Sequence, residues 1–224
     1  LLRERRSVNA HAPKGNGRRR LADDIIKALD SEPLHVLRVN LHNYITNYKA
    51  FLDDLAGQLK PANLPAGGDL AELLEAGSRD LDKALLFVLD NLDAVLEESE
   101  GRDPRYNGEF LNRLNVLKNG NYCRLLALSA KPHNAYTFDG VSSWLDLKIE
   151  KIHELSDRHI GAEIDRCLNP PPEKTLRCYL IEQIETEALA QAALLDALLC
   201  YLDSNERSKE AAKRFILDYR KKRG

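Results

Sequence analysis

The 224-residue sequence contains no methionine, one tryptophan and only four cysteines. Cys123, Cys167, Cys178 and Cys200 lack paired spacing, which points away from a disulfide scaffold or zinc module and toward a reducing cytoplasm. No run approaches the roughly 18 consecutive apolar residues that cross a bilayer, and no apolar signal segment opens the chain, so no membrane span is expected. The G-x-S-x-G elbow of serine hydrolases is missing. His153 and His159 do not have the i, i+4 spacing of a helical metal pair. Methionine is missing even at position 1, so either the start of the protein is not included or some spacings are compressed. Spacing is therefore used only inside short, coherent motifs.

The residues present are those of an ordinary globular chain, 43% hydrophobic and 30% charged. The net charge of −2 hides an asymmetry. Residues 1–20 carry +6 and residues 207–224 another +6, leaving −14 on the 186 residues between. Basic ends on an acidic body suit an anionic partner such as phosphate or nucleic acid, with solvated tails as the alternative. The terminal Arg220-Lys221-Lys222-Arg223 also complements the dipole at a helix C-terminus.

Short apolar runs alternate with amphipathic stretches over the first two thirds. Ser7–Ala12 reads as a strand and Leu21, Ile25, Ile26 and Leu29 as one helix face. Leu34–Leu41 is β-rich, a helix is expected from about Tyr44 to Leu59, and a turn-rich break follows at 60–68. Asp69 can cap the next helix, which carries Leu70, Leu73, Leu74 and Leu81. Ala84–Leu89 is apolar without alternation, as a strand covered on both faces requires. A helix bearing Phe110, Leu111, Leu114 and Leu117, a strand over Cys123–Leu128 and a short strand over Leu145–Ile149 complete the pattern. Strands separated by helices imply crossovers and a parallel sheet sandwiched between helices, an α/β fold. Strand signals stop after residue 156. Ser156 can cap a helix to about Cys167, Asn169-Pro170-Pro171-Pro172 breaks the chain, and Leu189, Ala193, Leu194, Ala197, Leu198 and Tyr201 form a later helical stripe. The expected division is an α/β core over 1–168 and a helical unit over 169–224.

Two segments carry the chemistry. Ala12-Pro13-Lys14-Gly15-Asn16-Gly17-Arg18-Arg19 aligns with the phosphate-cradling pattern G-x-x-x-x-G-K-[ST]. Gly15 and Gly17 can adopt the positive φ that turns backbone amides toward an anion, and the helix after them adds its positive end. Ala12, Arg18 and Arg19 depart from the pattern, and a plain strand-to-helix turn is the alternative reading. The apolar strand Leu85–Leu89 ends in Asp90, followed by Asn91, Leu92 and Asp93. A carboxylate ending a buried parallel strand lies where such sheets bind ligands, although it can also serve as a cap. The next strand ends in Ser129.

In this order, the loop, the strand with Asp90 and the strand with Ser129 resemble the P-loop NTPases of the AAA+ and STAND type. These include the origin-recognition-like and transposition-associated ATPases. The resemblance covers about residues 7–168, and the helical remainder looks like the lid that follows such cores. It implies ATP or ADP with Mg²⁺ as cofactors, held by Pro13, Lys14, Gly15, Asn16, Gly17, Arg18 and Arg19. It also implies Asp90 as metal ligand and catalytic carboxylate, and Ser129 at the sensor-1 position. The departures imply poor hydrolysis. Arg18 replaces the lysine, Arg19 has no lone pair for a metal, and Asn91 stands where a glutamate usually polarises water, leaving Asp93 as the substitute carboxylate. A regulatory or scaffolding module with a protein partner or self-assembly is the reading that follows. An active ATPase that remodels DNA or protein complexes is the alternative.

Overall fold

The computed structural model describes residues 6–60, 69–119, 122–138, 141–142, 145–187 and 191–222. Five strands, β1 (Val8–His11), β2 (Leu34–Asn40), β3 (Ala84–Asp90), β4 (Cys123–Ser129) and β7 (Lys148–Lys151), form one sheet in the order β2-β3-β4-β1-β7. Every neighbouring pair is parallel. β5 (Thr137–Phe138) and β6 (Val141–Ser142) form a separate antiparallel pair. Helices α1 (Arg18–Ala28), α2 (Tyr48–Leu59), α3 (Leu70–Leu81), α4 (Asp93–Leu96) and α5 (Gly108–Asn119) lie between the strands. This is the expected parallel α/β sandwich.

Side chains of a strand alternate between faces, so β3 feeds two cores. Leu85, Phe87 and Leu89 join the larger core with residues of α2, α3 and α5. Leu86 and Val88 join the core beneath α1, with Ala22, Leu29, Leu126 and Leu128. Coverage on both sides explains why β3 reads as an unbroken apolar run. Tyr48, Phe51, Tyr106 and Phe110 cluster within the larger core at ring-centroid separations of 5.2–6.3 Å, several of them edge to face.

Local signals set the helix ends. Asp69 caps α3 through a full capping box: its carboxylate accepts from the amides of Ala71 and Glu72, while Glu72 accepts from the Asp69 amide. α2 starts later than expected. A 3-10 turn at Leu41–Tyr44 precedes it, and Asn47 caps it by accepting from the Ala50 amide at 2.9 Å. Ser156 precedes the next helix, but its hydroxyl meets the His159 ring at 3.0 Å and makes no cap bond to the backbone. The last strand of the sheet begins three residues beyond the expected Leu145, at Lys148. The expected break at 61–68 and Leu189 lie outside the described residues.

Two compact units emerge. The α/β unit takes in the described residues to Ala12 and Arg18–Ile152; the helical unit takes in Pro13–Gly17 and His153 onward. The division therefore falls after Ile152, where the sequence placed it after residue 168. The reason is packing: Ile160 and Ile164 of α6 (Asp157–Cys167) sit in the same core as α7 (Lys174–Glu185), α8 (Gln191–Ser204) and α9 (Lys209–Lys221). No described helix is long and apolar enough to cross a membrane.

Candidate functional site

Because the sheet is parallel, β1, β3 and β4 all end at one edge. Cross-bonds at that edge fix their chain exits: the Ala12 amide donates to Ser129 O at 3.1 Å and the Leu92 amide to Leu128 O at 2.8 Å. Asp90, at the end of β3, is buried with only 6% of its surface exposed. Asn91 then takes a left-handed φ of 55°, which asparagine tolerates, and its side-chain amide donates to Asn40 Oδ1 at 2.7 Å.

Asp93 opens α4. Its Oδ1 accepts from Arg18 Nη1 at 3.2 Å and from the Ala130 amide at 3.0 Å. The candidate phosphate-binding arginine and the candidate substitute carboxylate are thus brought together, mostly buried at 12% and 20% side-chain exposure. Asp90 has a different partner. Arg38 Nε on β2 donates to Asp90 Oδ2 at 2.8 Å, and Arg38 Nη1 also bonds Asp23 on α1. Burial lowers the pKa of Arg38, but the bonds to Asp90 and Asp23 outweigh it and hold the guanidinium above its ordinary value.

Ser129 is brought to the same edge but turned to the other face. It follows Ala127, which lies in the larger core, while Asp90 follows Val88 in the core beneath α1. The Ser129 hydroxyl donates to Lys131 O at 2.6 Å and accepts from Asn9 Nδ2 at 2.8 Å. Asn9 also donates to Ala127 O and accepts from the His133 amide at 2.8 Å. The His133 ring donates from Nε2 to Leu147 O, and its Nδ1 is buried without a partner. Burial pushes the His133 pKa down, against the bond to Leu147. Ser129 thus ties β4 to β1.

In the helical unit, Gly15 and Gly17 have φ of 95° and 79°, the positive values expected of a phosphate loop. Pro13 O accepts from the Asn16 amide, and Gly15 O accepts from the Ala193 amide of α8 at 3.0 Å. A Cβ on Gly17 would come within 3.2 Å of the Ala192 Cβ. The loop thus packs on a helix of the helical unit, which sequence reasoning did not foresee. Arg38, Asp23, Asn9 and Asn40 were also missed. The polar Asn9 inside an apolar strand and the Val36, Arg38, Asn40 alternation in β2 were the available signals.

Elsewhere in the α/β unit, Arg105 reaches back to Asp103 at 2.7 Å and lies 5.2 Å over the Tyr48 ring, and Arg102 donates to Val95 O and Glu97 O. The Arg105 hydrogen bond holds the Asp103 carboxyl well below its usual range, against the opposing effect of burial.

The donors at Asp90 do not fit Mg²⁺, which takes a near-octahedral shell of oxygen ligands. A guanidinium holds one carboxylate oxygen of Asp90, a second guanidinium and a backbone amide hold Asp93, and Arg19 offers no lone pair. Among the described residues, no group of three or more His, Cys, Asp or Glu side chains is placed to hold a metal ion.

No family model matches the chain, and no curated protein matches its sequence. Solved structures do match. The Aeropyrum pernix ORC2 protein, in ADPNP–ADP complexes, superposes with a TM-score of 0.67 at 16% identity, over 94% of this chain and 61% of its own. The A. pernix ORC1 protein in complex with DNA gives 0.63 at 14% identity, over 96% and 59%. Drosophila ORC bound to DNA gives 0.55 at 18% identity, over 96% and 55%. This chain thus spans less than two thirds of the length of each of these three structures. At identities this low the likeness establishes architecture alone: the chain shares its fold with these origin-recognition proteins.

Proposed function

We propose that the chain is a degenerate AAA+/STAND-like ATPase domain that acts as a regulatory or scaffolding module in the cytoplasm, binding ATP or ADP weakly or not at all and hydrolysing it poorly. One observation carries this reading: Asp93, the carboxylate within three residues after Asp90, is already engaged by Arg18 and the Ala130 amide. Hydrolysis needs a group that polarises the attacking water. Asn91 cannot be that base and its amide is bonded to Asn40, while Asp93 is held by Arg18 and the Ala130 amide. The candidate phosphate ligand Arg18 must leave Asp93 before it can meet an anion. The positive φ of Gly15 and Gly17 supports a loop of phosphate-binding type at Pro13–Arg19.

A protein partner or a second copy fits a domain that has kept the fold without the chemistry. Nucleic acid is the other candidate partner, through the basic termini, and two proteins of like fold, A. pernix ORC1 and Drosophila ORC, are bound to DNA in their structures. Salt-sensitive DNA binding lost on deleting residues 220–224 would support it.

The experiment is steady-state ATP turnover together with titration of a nucleotide analogue with and without Mg²⁺. Turnover is expected at background and unchanged in Asp90→Ala. Any analogue affinity is expected to weaken in Arg18→Ala. Robust turnover abolished by Asp90→Ala would overturn the reading in favour of an active ATPase. Measurable affinity untouched by Arg18→Ala and Arg19→Ala would displace the phosphate loop from residues 13–19.

A further inference from the structure

Asp90 is a buried carboxylate, and a buried charge requires a counter-charge with good hydrogen-bond geometry. The sheet register supplies one. β2 and β3 pair in parallel with Arg38 opposite Val88 and Asn40 opposite Asp90. Val88 and Asp90 are two residues apart on one strand and share a face, so Arg38 stands diagonal to Asp90 on that face. An arginine side chain spans such a diagonal, and Nε meets Oδ2 at 2.8 Å. α1 covers the same face and brings Asp23 to the same guanidinium. One cation therefore joins carboxylates from two elements that would otherwise repel. Its third nitrogen, Nη2, is buried without a hydrogen-bond partner, while the side chain as a whole is 28% exposed, so the guanidinium turns inward from a half-buried position.

A divalent ion at the end of β3 would do the same electrostatic work: neutralise Asp90 and draw a second oxygen ligand toward it. We propose that the Arg38 guanidinium is the covalently attached counter-cation of Asp90, standing in for the divalent metal, so that Asp90 takes no metal ion. The inference rests on the reading of Asp90 as the aspartate that stands at the metal-ligand position of a nucleotide site. It also explains why the donors at Asp90 do not fit Mg²⁺: the positive charge is already part of the chain.

The test is Mn²⁺ binding to the metal-stripped full chain without nucleotide, followed by calorimetric titration and by the shift in melting temperature. Wild type is expected to show no saturable Mn²⁺ binding in the micromolar-to-millimolar range and no Mn²⁺-dependent shift. Arg38→Gln leaves Asp90 and Asp23 without their cation. It is expected to melt lower, to recover part of the loss on adding Mn²⁺, and to lose that recovery in the Arg38→Gln/Asp90→Asn double variant. Saturable Mn²⁺ binding by wild type that Asp90→Asn abolishes would overturn the inference, as would a folded Arg38→Gln with no response to Mn²⁺. Should Arg38→Gln fail to fold, the wild-type and Asp90→Asn titrations decide alone. Because nucleotide is left out, metal binding at Asp90 sinks this inference without touching the proposed function. Asp90-dependent ATP turnover sinks the proposed function whatever the Mn²⁺ result.

Discussion

The α/β unit and the helical unit both pack around leucine, yet they differ in what else they bury. The α/β unit encloses Ser7, Asn9, Ser78, Asp90, Asp103, Ser129 and His133, most of them bonded across elements far apart in sequence. In the helical unit, Gln191 alone among the described residues is a buried polar side chain. Its ion pairs, such as Arg177–Asp165 and Arg207–Asp203, lie at the surface, where such pairs are worth about 0–1 kcal/mol. Leucine can pack in many registers, whereas a buried hydrogen bond is satisfied in very few. Buried polar bonds therefore mark where geometry is specified most tightly, and they occur at both ends of the sheet, with Asp90, Ser129 and His133 at the edge where its strands end.

The largest effects should come from the cores themselves. Phe110→Ala removes a ring from the four-ring cluster and should destabilise by about 3–5 kcal/mol, while Leu180→Ala in the aliphatic helical core should cost about 2–5 kcal/mol. Urea midpoints would check both, and equal or inverted values would show that the aromatic cluster adds nothing beyond its volume. The polar contrast comes next. Asn9→Leu leaves the His133 amide and the Ser129 hydroxyl each short of a partner, at about 1–3 kcal/mol per buried group. Gln191→Leu strips mainly the Leu155 amide, so its loss should be roughly half as large.

Two glycines sharpen the comparison. A Cβ on Gly77 of α3 would lie 2.6 Å from Leu59 Cδ2 of α2, inside a packed core, so Gly77→Ala should cost about 1–3 kcal/mol. A Cβ on Gly161 of α6 would meet only the guanidinium of Arg177, which is partly exposed and can swing away. Gly161→Ala should be near neutral, or gain up to about 1 kcal/mol of helix propensity. Thermal melts of the two variants should move apart.

The smallest expected effect is a pH dependence. Burial lowers the pKa of His133 in the folded state, and burial and then Lys151 lower that of His11, so the unfolded chain binds more protons at mildly acid pH. Stability is full above the unfolded histidine value of about 6.5 and falls as pH drops through it toward the lowered folded values. His133→Gln should flatten this slope in urea titrations between pH 7.5 and 5.5.

Much of the framework could be read from residue order. β3 and β4 followed from uninterrupted apolar runs, α3 from Asp69 ahead of a leucine stripe, and the positive φ of Gly15 and Gly17 from the loop pattern. What escaped depends on which distant segments become neighbours. Arg38 meets Asp90 only because β2 pairs with β3 in one particular register, and no local pattern encodes that choice. The same holds for Asn9 with Ser129, 120 positions apart, and for Gly15 against Ala193. The expected core ran to residue 168, up to the break at Asn169-Pro170-Pro171-Pro172, and so included α6, whereas its buried Ile160 and Ile164 belong to the core of the helices after it.

The strand order also has a consequence for biosynthesis. β1 leaves the ribosome before β2 and β3, but both of its neighbours, β4 and β7, are encoded far downstream, with Val8 opposite Leu126 and Lys148. At translation rates of about 5–20 residues per second, β1 waits roughly 6–24 s for its first partner. During that interval β2 and β3 can already zip together, leaving the β4-facing side of β3 as an open template. Until Cys123–Ser129 arrives that edge is open to pairing with other strands, so the interval before β4 is one of exposure to aggregation.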